Sequence, residues 1–256
     1  MIRIEGLTFK YPGGKDLVLR GVTMELHGGE TGILMGRNGA GKTTLFKTIL
    51  GLLKPSAGTV TFDGKDMLRM SRRERAALIA YVPQHIHFGE LSVRDSILAG
   101  RISRFGLNPG KEDLRVTEQI MEDMGLQDLA DRIAEQLSGG EQQKVAIARA
   151  LAQEPRMLIF DEPTGNLDLA NEELIIEEAR RAAHDRGIAV LSSMHDPNQA
   201  LRMGDRFFFI KEGQILYAGD QSIITENILD ETFGIHSRIV EVEGQKIILG
   251  GSKHED

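Results

Sequence analysis

The sequence predicts an α/β core interrupted by a helical insert, and three observations predict it. Short apolar runs at 31–35, 157–160, 189–193 and 207–210 have the length and composition of buried strands. A glycine-rich loop at 36–43 joins the first of these runs to a segment of helical period. Between about Gln84 and Ala152 the strand signal disappears and helical stretches replace it.

The elements follow in order. Ile2, Ile4 and residues 7–11 read as strand, and Pro12-Gly13-Gly14 separates them from a second strand within 17–26. Residues 42–53 read as a helix, with Leu45, Phe46, Ile49, Leu50 and Leu53 at helical spacing. Gly51 weakens its last turn and Pro55 stops it. Residues 59–62 form a strand before an Asp63-Gly64 turn. Ser71-Arg-Arg-Glu74 is a capping-box pattern, and Ser92-Val-Arg-Asp95 opens another helix. A strand at 79–82 is stopped by Pro83. Long helical stretches cover 112–124 and 141–152, and strands resume at 157–160, 189–193, 207–210 and 214–217. Phe207-Phe208-Phe209 reads as core strand. The charged run 172–186 reads as the solvated face of a helix, with Glu177 and Arg181 as an i,i+4 pair. Only 252–256 reads as disordered. His85-Ile86-His87 lacks the further ligands a metal site needs and reads as surface loop.

A chain of 256 residues can bury a sizeable core. A hydrophobic content of 41% and a charged content of 27% are ordinary for a soluble globule, and no apolar run approaches a bilayer span. The start, MIRIEGLTFK, lacks the basic and long apolar regions of a signal peptide. Without cysteine there are no disulfides and no thiolate metal sites. A net charge of −7 argues against sequence-independent nucleic-acid binding, which rests on Lys/Arg contacts to phosphates.

Three segments carry chemistry. Gly36-Arg37-Asn38-Gly39-Ala40-Gly41-Lys42-Thr43, followed by Thr44, fits the G-x4-G-K-[ST] phosphate loop. Its glycines let backbone N–H groups turn toward phosphates, and the following helix directs its positive end at the same anion. Lys42 would reach the β and γ phosphates of a nucleotide and the Thr43 hydroxyl would ligate Mg²⁺. A buried-type strand ends in Asp161-Glu162. Asp161 suits a Mg²⁺ ion near bound phosphates, through water, which leaves Glu162 free to orient or deprotonate the attacking water. Leu137-Ser138-Gly139-Gly140-Glu141 contains a capping box opening an amphipathic helix. Capping accounts for Ser138 and Glu141. It does not account for two consecutive glycines, which leave backbone donors open to an anion at a helix N-terminus.

In this order, the phosphate loop, the LSGGE segment, the Phe160-Asp161-Glu162-Pro163 strand end and a late histidine resemble an ATP-binding-cassette ATPase over nearly the full chain. The resemblance implies a RecA-like P-loop NTPase core with an N-terminal antiparallel β-subdomain and a helical insert specific to the family. As a single domain it divides into core at 1–83 and 155–240, helical signature subdomain at 84–154, and a C-terminal tail at 241–256. The resemblance also implies roles: Tyr11 stacks on adenine, Gln84 contacts Mg²⁺ and faces the membrane partner, Asn166-Leu167-Asp168 bridges two subunits, and His195 is the switch residue near the γ-phosphate. Ser138, Gly139, Gly140 and Glu141 of one copy close over the ATP held by the loop of another. Mg²⁺ thus falls to Thr43, Gln84 and Asp161, and catalysis to Glu162, His195 and Gln84. The partners implied are a second copy head to tail, two transmembrane permease subunits and, through them, a substrate-binding protein, with no nucleic acid. The location implied is the cytoplasmic face of the membrane.

Some residues depart from the usual pattern. Arg37 stands where proline is common, and its side chain either reaches phosphate or faces solvent. Glu141-Gln142-Gln143-Lys144 replaces a more basic run, and Met194 precedes His195 where threonine is usual. The segment Leu91 to Arg101, the segment His195 to Ala200 and the Glu231-Thr-Phe-Gly-Ile235 segment are similar to importers of iron-siderophore, haem, cobalamin and molybdate. Gly165-Asn166-Leu167-Asp168 instead is similar to the lipoprotein and macrolide exporter branch. A soluble, non-transport cassette ATPase usually carries two cassettes or a long coiled-coil insert, and this chain has neither. A binding module without hydrolysis is disfavoured by intact Glu162 and His195.

Overall fold

A computed structural model describes residues 1–165 and 168–251 of the chain. The strands are β1 (Ile2–Phe9), β2 (Leu19–Leu26), β3 (Thr31–Met35), β4 (Ala57–Phe62), β5 (Lys65–Asp66), β6 (Ile79–Val82), β7 (Met157–Asp161), β8 (Ala189–Met194), β9 (Arg206–Lys211), β10 (Gln214–Gly219), β11 (His236–Val242) and β12 (Gln245–Gly251). The α-helices are α1 (Lys42–Ile49), α2 (Arg72–Leu78), α3 (Val93–Ala99), α4 (Lys111–Asp123), α5 (Gly139–Ala152), α6 (Leu169–His184), α7 (Pro197–Met203) and α8 (Glu226–Phe233).

The central sheet runs β10-β9-β3-β8-β7-β6, parallel throughout except for the antiparallel β10 edge. Every residue of β3, β7 and β8 is buried, as a parallel sheet covered on both faces requires. The three consecutive phenylalanines of β9 divide between the two faces. Phe207 and Phe209 join the cluster under the helices, and Phe208 joins the one under α1 and the antiparallel sheet. Each fully buried ring contributes roughly 1.5–3 kcal/mol. The antiparallel sheet, β2-β1-β4-β5, covers α1 from the other side through Ile2, Ile4, Leu7 and Val60.

Helices α3, α4 and α5 form the insert. Arg101 ties them together: its guanidinium donates to Asp113 Oδ1, to the Ala152 carbonyl and to Glu154 Oε2, at 2.8, 2.8 and 2.9 Å. Asp113 in turn accepts from the Gly110 amide at the start of α4.

Two expectations are corrected. Helix α1 stops at Ile49, not Leu53, because Gly51 takes a left-handed φ of 69°. The amides of Gly51 and Leu52 fold back to the carbonyls of Thr48 and Lys47 and close the end. The segment set apart as a tail at 241–256 belongs, through residue 251, to the β11–β12 hairpin, whose Ile248 is buried. The hairpin docks on α7, where the Asn198 side chain donates to the Ile248 carbonyl and accepts from its amide. On α6 the expected i,i+4 pair of Glu177 and Arg181 is present at 3.9 Å, and Arg181 makes a closer i,i+3 contact with Glu178 at 2.9 Å. Residues 252–256, read as disordered, lie outside the described residues.

Candidate active site

The glycine-rich loop leaves the carboxyl end of β3, where open α/β sheets bind ligands. At Gly36 a Cβ would meet the Ile210 carbonyl oxygen at 2.3 Å, so the loop hugs β9 only because it begins with glycine. Gly41 caps α1 at a φ of 105°. The Lys42 ammonium is buried and donates to the Gly36 carbonyl at 2.8 Å. Its Nζ lies 3.7 Å from Glu162 Oε1. Burial pushes the ammonium below its usual value, against the opposing pull of Glu162 and Asp161.

A cleft of about 300 Å³ opens over this loop. Asn38, Gly39, Lys42, Thr43, Gln84 and Glu162 are among its lining residues. Thr44 also lines it, and its hydroxyl lies 3.2 Å from the Tyr11 phenol. The Tyr11 ring stands edge-on to Phe9, at 4.8 Å. Arg37 does not line the cleft. Its guanidinium turns to the C-terminus of α8, where a Cβ on Gly234 would lie 3.3 Å from Nη1. Ala40 likewise sits behind the loop, accepting the Gly213 amide on its carbonyl at 3.1 Å.

The adjacent acids at the end of β7 occupy different surroundings. Asp161 is buried between two hydroxyl donors, Tyr81 to Oδ2 at 3.1 Å and Ser193 to Oδ1 at 2.9 Å. Glu162 has a left-handed φ of 53°, a backbone cost of order 1–3 kcal/mol for a side-chain-bearing residue. Its amide donates to Ser193 Oγ at 3.0 Å. That turn directs the Glu162 carboxylate into the cleft, where Gln84 Nε2 donates to Oε2 at 2.8 Å and His195 Nε2 lies 2.6 Å from the same oxygen. Lys42, Gln84, Glu162 and His195, expected from four separate segments, therefore meet at one carboxylate.

Ser138–Glu141 are not among the residues lining this cleft. The capping box expected there is present. Ser138 donates its amide and hydroxyl to Glu141 Oε2 at 2.9 and 2.7 Å, and accepts the Glu141 amide. These bonds hold the Glu141 carboxyl below its usual range. The two glycines differ. Gly139 faces open space, whereas a Cβ on Gly140 would meet Asn171 Oδ1 at 2.1 Å. Asp168 accepts the Asn171 amide and caps α6. Asn166 and Leu167, part of the expected bridging and exporter-like segment, lie outside the described residues.

Tyr81, Ser193 and Val18, which lines the cleft, were missed in the sequence. Two serines inside the otherwise apolar β8 were a usable signal for Ser193. Among the described residues no group of three or more His, Cys, Asp or Glu is placed to hold a metal, and His87 lies 3.6 Å from Glu135.

The arrangement offers backbone donors and a buried ammonium to an anion, with a carboxylate beside them that can accept a proton. Comparison with known proteins gives it a family. The ABC transporter family profile matches residues 19–165. An uncharacterized ABC transporter ATP-binding protein of Methanocaldococcus jannaschii is 35% identical over 97% of each chain. The hemin import ATP-binding protein HmuV of Gloeobacter violaceus is 34% identical, over 94% of this chain and 90% of its own. Among solved structures, an inward-facing metal-chelate type ABC transporter superposes with a TM-score of 0.85 at 26% identity, over 98% of both chains. A dimeric ATP-binding cassette bound to ADP and Pi, in a post-hydrolysis state, gives 0.76 at 28%, over 86% of this chain and 98% of its own.

Proposed function

The chain belongs to the ABC transporter family as an ATP-binding, ATP-hydrolysing subunit, and from that premise we propose that it powers import of a metal chelate or oxyanion by ATP-dependent closure of a dimer. The observation that carries the hydrolytic part is the convergence of Lys42, Gln84 and His195 on the Glu162 carboxylate within the loop cleft. The importer reading is supported by the likeness to a metal-chelate transporter over 98% of both chains and by relatives named for hemin and phosphonate import.

Residue roles follow from position. The loop residues 36–44 hold the phosphates, with Lys42 on the β and γ groups, and Tyr11 stacks on the base. Arg37 turns away from the cleft and makes no phosphate contact in this reading. Glu162 orients or deprotonates the attacking water, and His195 stabilises the terminal phosphate. Thr43, Gln84 and Asp161 offer only oxygen donors, which suits Mg²⁺, and the ion would offset phosphate charge. The cleft is small for a nucleotide and lacks the LSGGE segment. Ser138, Gly139, Gly140, Glu141 and Asp168 of a second copy would supply the missing wall.

No helix among the described residues is long and apolar enough to cross a membrane. The transmembrane partners are two permease subunits, and through them a substrate-binding protein. A groove of about 930 Å³ between α2 and the insert, lined by Arg72, Ile102, Phe105, Leu107 and Arg149, suits their docking segments. It leaves the chain on the cytoplasmic face of the membrane.

Glu162→Gln tests both halves. It should bind ATP, turn over about 100-fold or more slowly, and dimerise on ATP addition. Near-wild-type turnover refutes the role of Glu162, and a strict monomer at saturating ATP in sizing experiments refutes the shared site.

A further inference from the structure

Asp161 is held in a way that the family pattern of loop, glutamine, LSGGE and histidine does not include. It lies at the end of β7 between neighbouring strands β6 and β8, and each neighbour sends one hydroxyl to one carboxylate oxygen. Ser193 of β8 takes Oδ1 at 2.9 Å, and Tyr81 of β6 takes Oδ2 at 3.1 Å. The carboxylate is therefore fixed from both sides and cannot swing toward either strand. At 3% exposure, water is not a ready substitute for either donor.

The chemistry of the two donors matters. An arginine or lysine at this place would fix the carboxylate equally well but would cancel its charge. A hydroxyl fixes it and leaves the negative charge available to a cation. The phenol has no second partner among the bonds it makes, so the contact to Asp161 is its only polar engagement among the described residues. Phenylalanine would fill the same space and leave Oδ2 bare, since Tyr81 packs as a half-buried ring in the wall beside α2.

We propose that Tyr81 is a positioning residue for Asp161 in the binding of a divalent cation with nucleotide, sharing that task with Ser193. This rests on the ATPase reading above. Tyr81 itself touches neither nucleotide nor metal. It acts by holding the Asp161 carboxylate in one orientation.

The test uses the full chain and binding, not turnover. Wild type, Tyr81→Phe and Ser193→Ala are titrated with Mn²⁺ in saturating ADP, read by the electron-paramagnetic-resonance signal of free and bound ion. ADP affinity is measured separately in EDTA by calorimetry. Loss of one hydrogen bond to a charged group should weaken Mn²⁺ binding about 5- to 20-fold in Tyr81→Phe, and at least as much in Ser193→Ala, which also loses the acceptor of the Glu162 amide. ADP binding in EDTA should stay within about twofold of wild type, because the phosphate cradle is untouched. Mn²⁺ affinity of Tyr81→Phe within about twofold of wild type overturns the proposal, whatever Ser193→Ala does. Equal weakening of ADP binding in EDTA also overturns it, since the tyrosine is then supporting the whole cleft. If wild type binds no Mn²⁺ with ADP at all, the metal-dependent ATPase reading falls and this inference with it.

Discussion

His195 Nε2 lies 2.6 Å from Glu162 Oε2, the same oxygen that accepts the Gln84 amide at 2.8 Å. The histidine and the acid arrive from the ends of β8 and β7, adjacent parallel strands whose register pairs Asp161 with Ser193. Glu162 stands one residue past that pair and His195 two residues past it, and their side chains meet beyond the strand ends. In the proposed mechanism, replacing His195 by alanine removes one of the groups assigned to the terminal phosphate but none of the loop assigned to nucleotide binding. Turnover should fall about 100-fold or more, with ATP affinity within about threefold of wild type. Steady-state hydrolysis and equilibrium nucleotide binding on one preparation separate the two effects.

Gly140→Ala puts a methyl group into the Asn171 side chain. The asparagine amide can swing aside, so the expected loss of stability is about 1 kcal/mol rather than unfolding. Asn171→Ala removes the obstacle, and in its presence Gly140→Ala should cost much less. Urea melts of the four proteins in a double-mutant cycle read that coupling. Gly139→Ala, which meets nothing, is the control.

Arg101→Ala breaks the buried junction of α4, the end of α5 and the β7 approach. The loss of a buried guanidinium with three partners, one of them partly exposed, should cost about 2–3 kcal/mol. For a domain of this size that lowers Tm by about 4–12 °C, measurable by calorimetry. Arg101→Lys should recover little, because one ammonium cannot span partners arranged for a fork.

The Glu141 cap makes stability depend on pH. Hydrogen bonds from Ser138 keep the carboxyl below its ordinary 4.5 in the folded chain. A lowered folded-state value means that the unfolded chain takes up the proton first. The contribution is complete above pH 4.5 and disappears as pH falls through the lower folded value. Because the group is largely exposed, its worth is about 1 kcal/mol or less. The stability gap between wild type and Glu141→Ala should be constant from pH 7 to about 5 and narrow as the pH falls below 4.5.

Much of the site was legible because its motifs combine composition with position. Lys42 is bracketed by glycines, a strand and a helix, and Ser138 and Glu141 stand at capping spacing. Tyr81 was not legible, and Ser193 showed only as a polar break in an otherwise apolar strand. Their role depends on β6 and β8 flanking β7, and strand order in a parallel sheet is a property of the packed layers, not of local sequence. The end of α1 was misplaced because Leu53 continued the apolar spacing while Gly51 made a left-handed turn cheaper than another helical one. The hairpin had a signal that was passed over: Ile239, Val240 and Val242 precede Glu243-Gly244, and Ile247, Ile248 and Leu249 follow it, a strand-turn-strand pattern. Placing β12 against Asn198 required the tertiary structure.

The Lys42 charge is already answered, by a carboxylate 3.7 Å away. An arriving polyphosphate does not meet a bare cation but displaces one anion with another, as on an ion-exchange resin. Few mobile ions need leave the cleft in that exchange. Nucleotide affinity should therefore depend on ionic strength less than the presence of a buried ammonium suggests. Removing the Glu162 charge turns the same cleft into a stronger anion trap, so tight binding and slow release of nucleotide share a single origin.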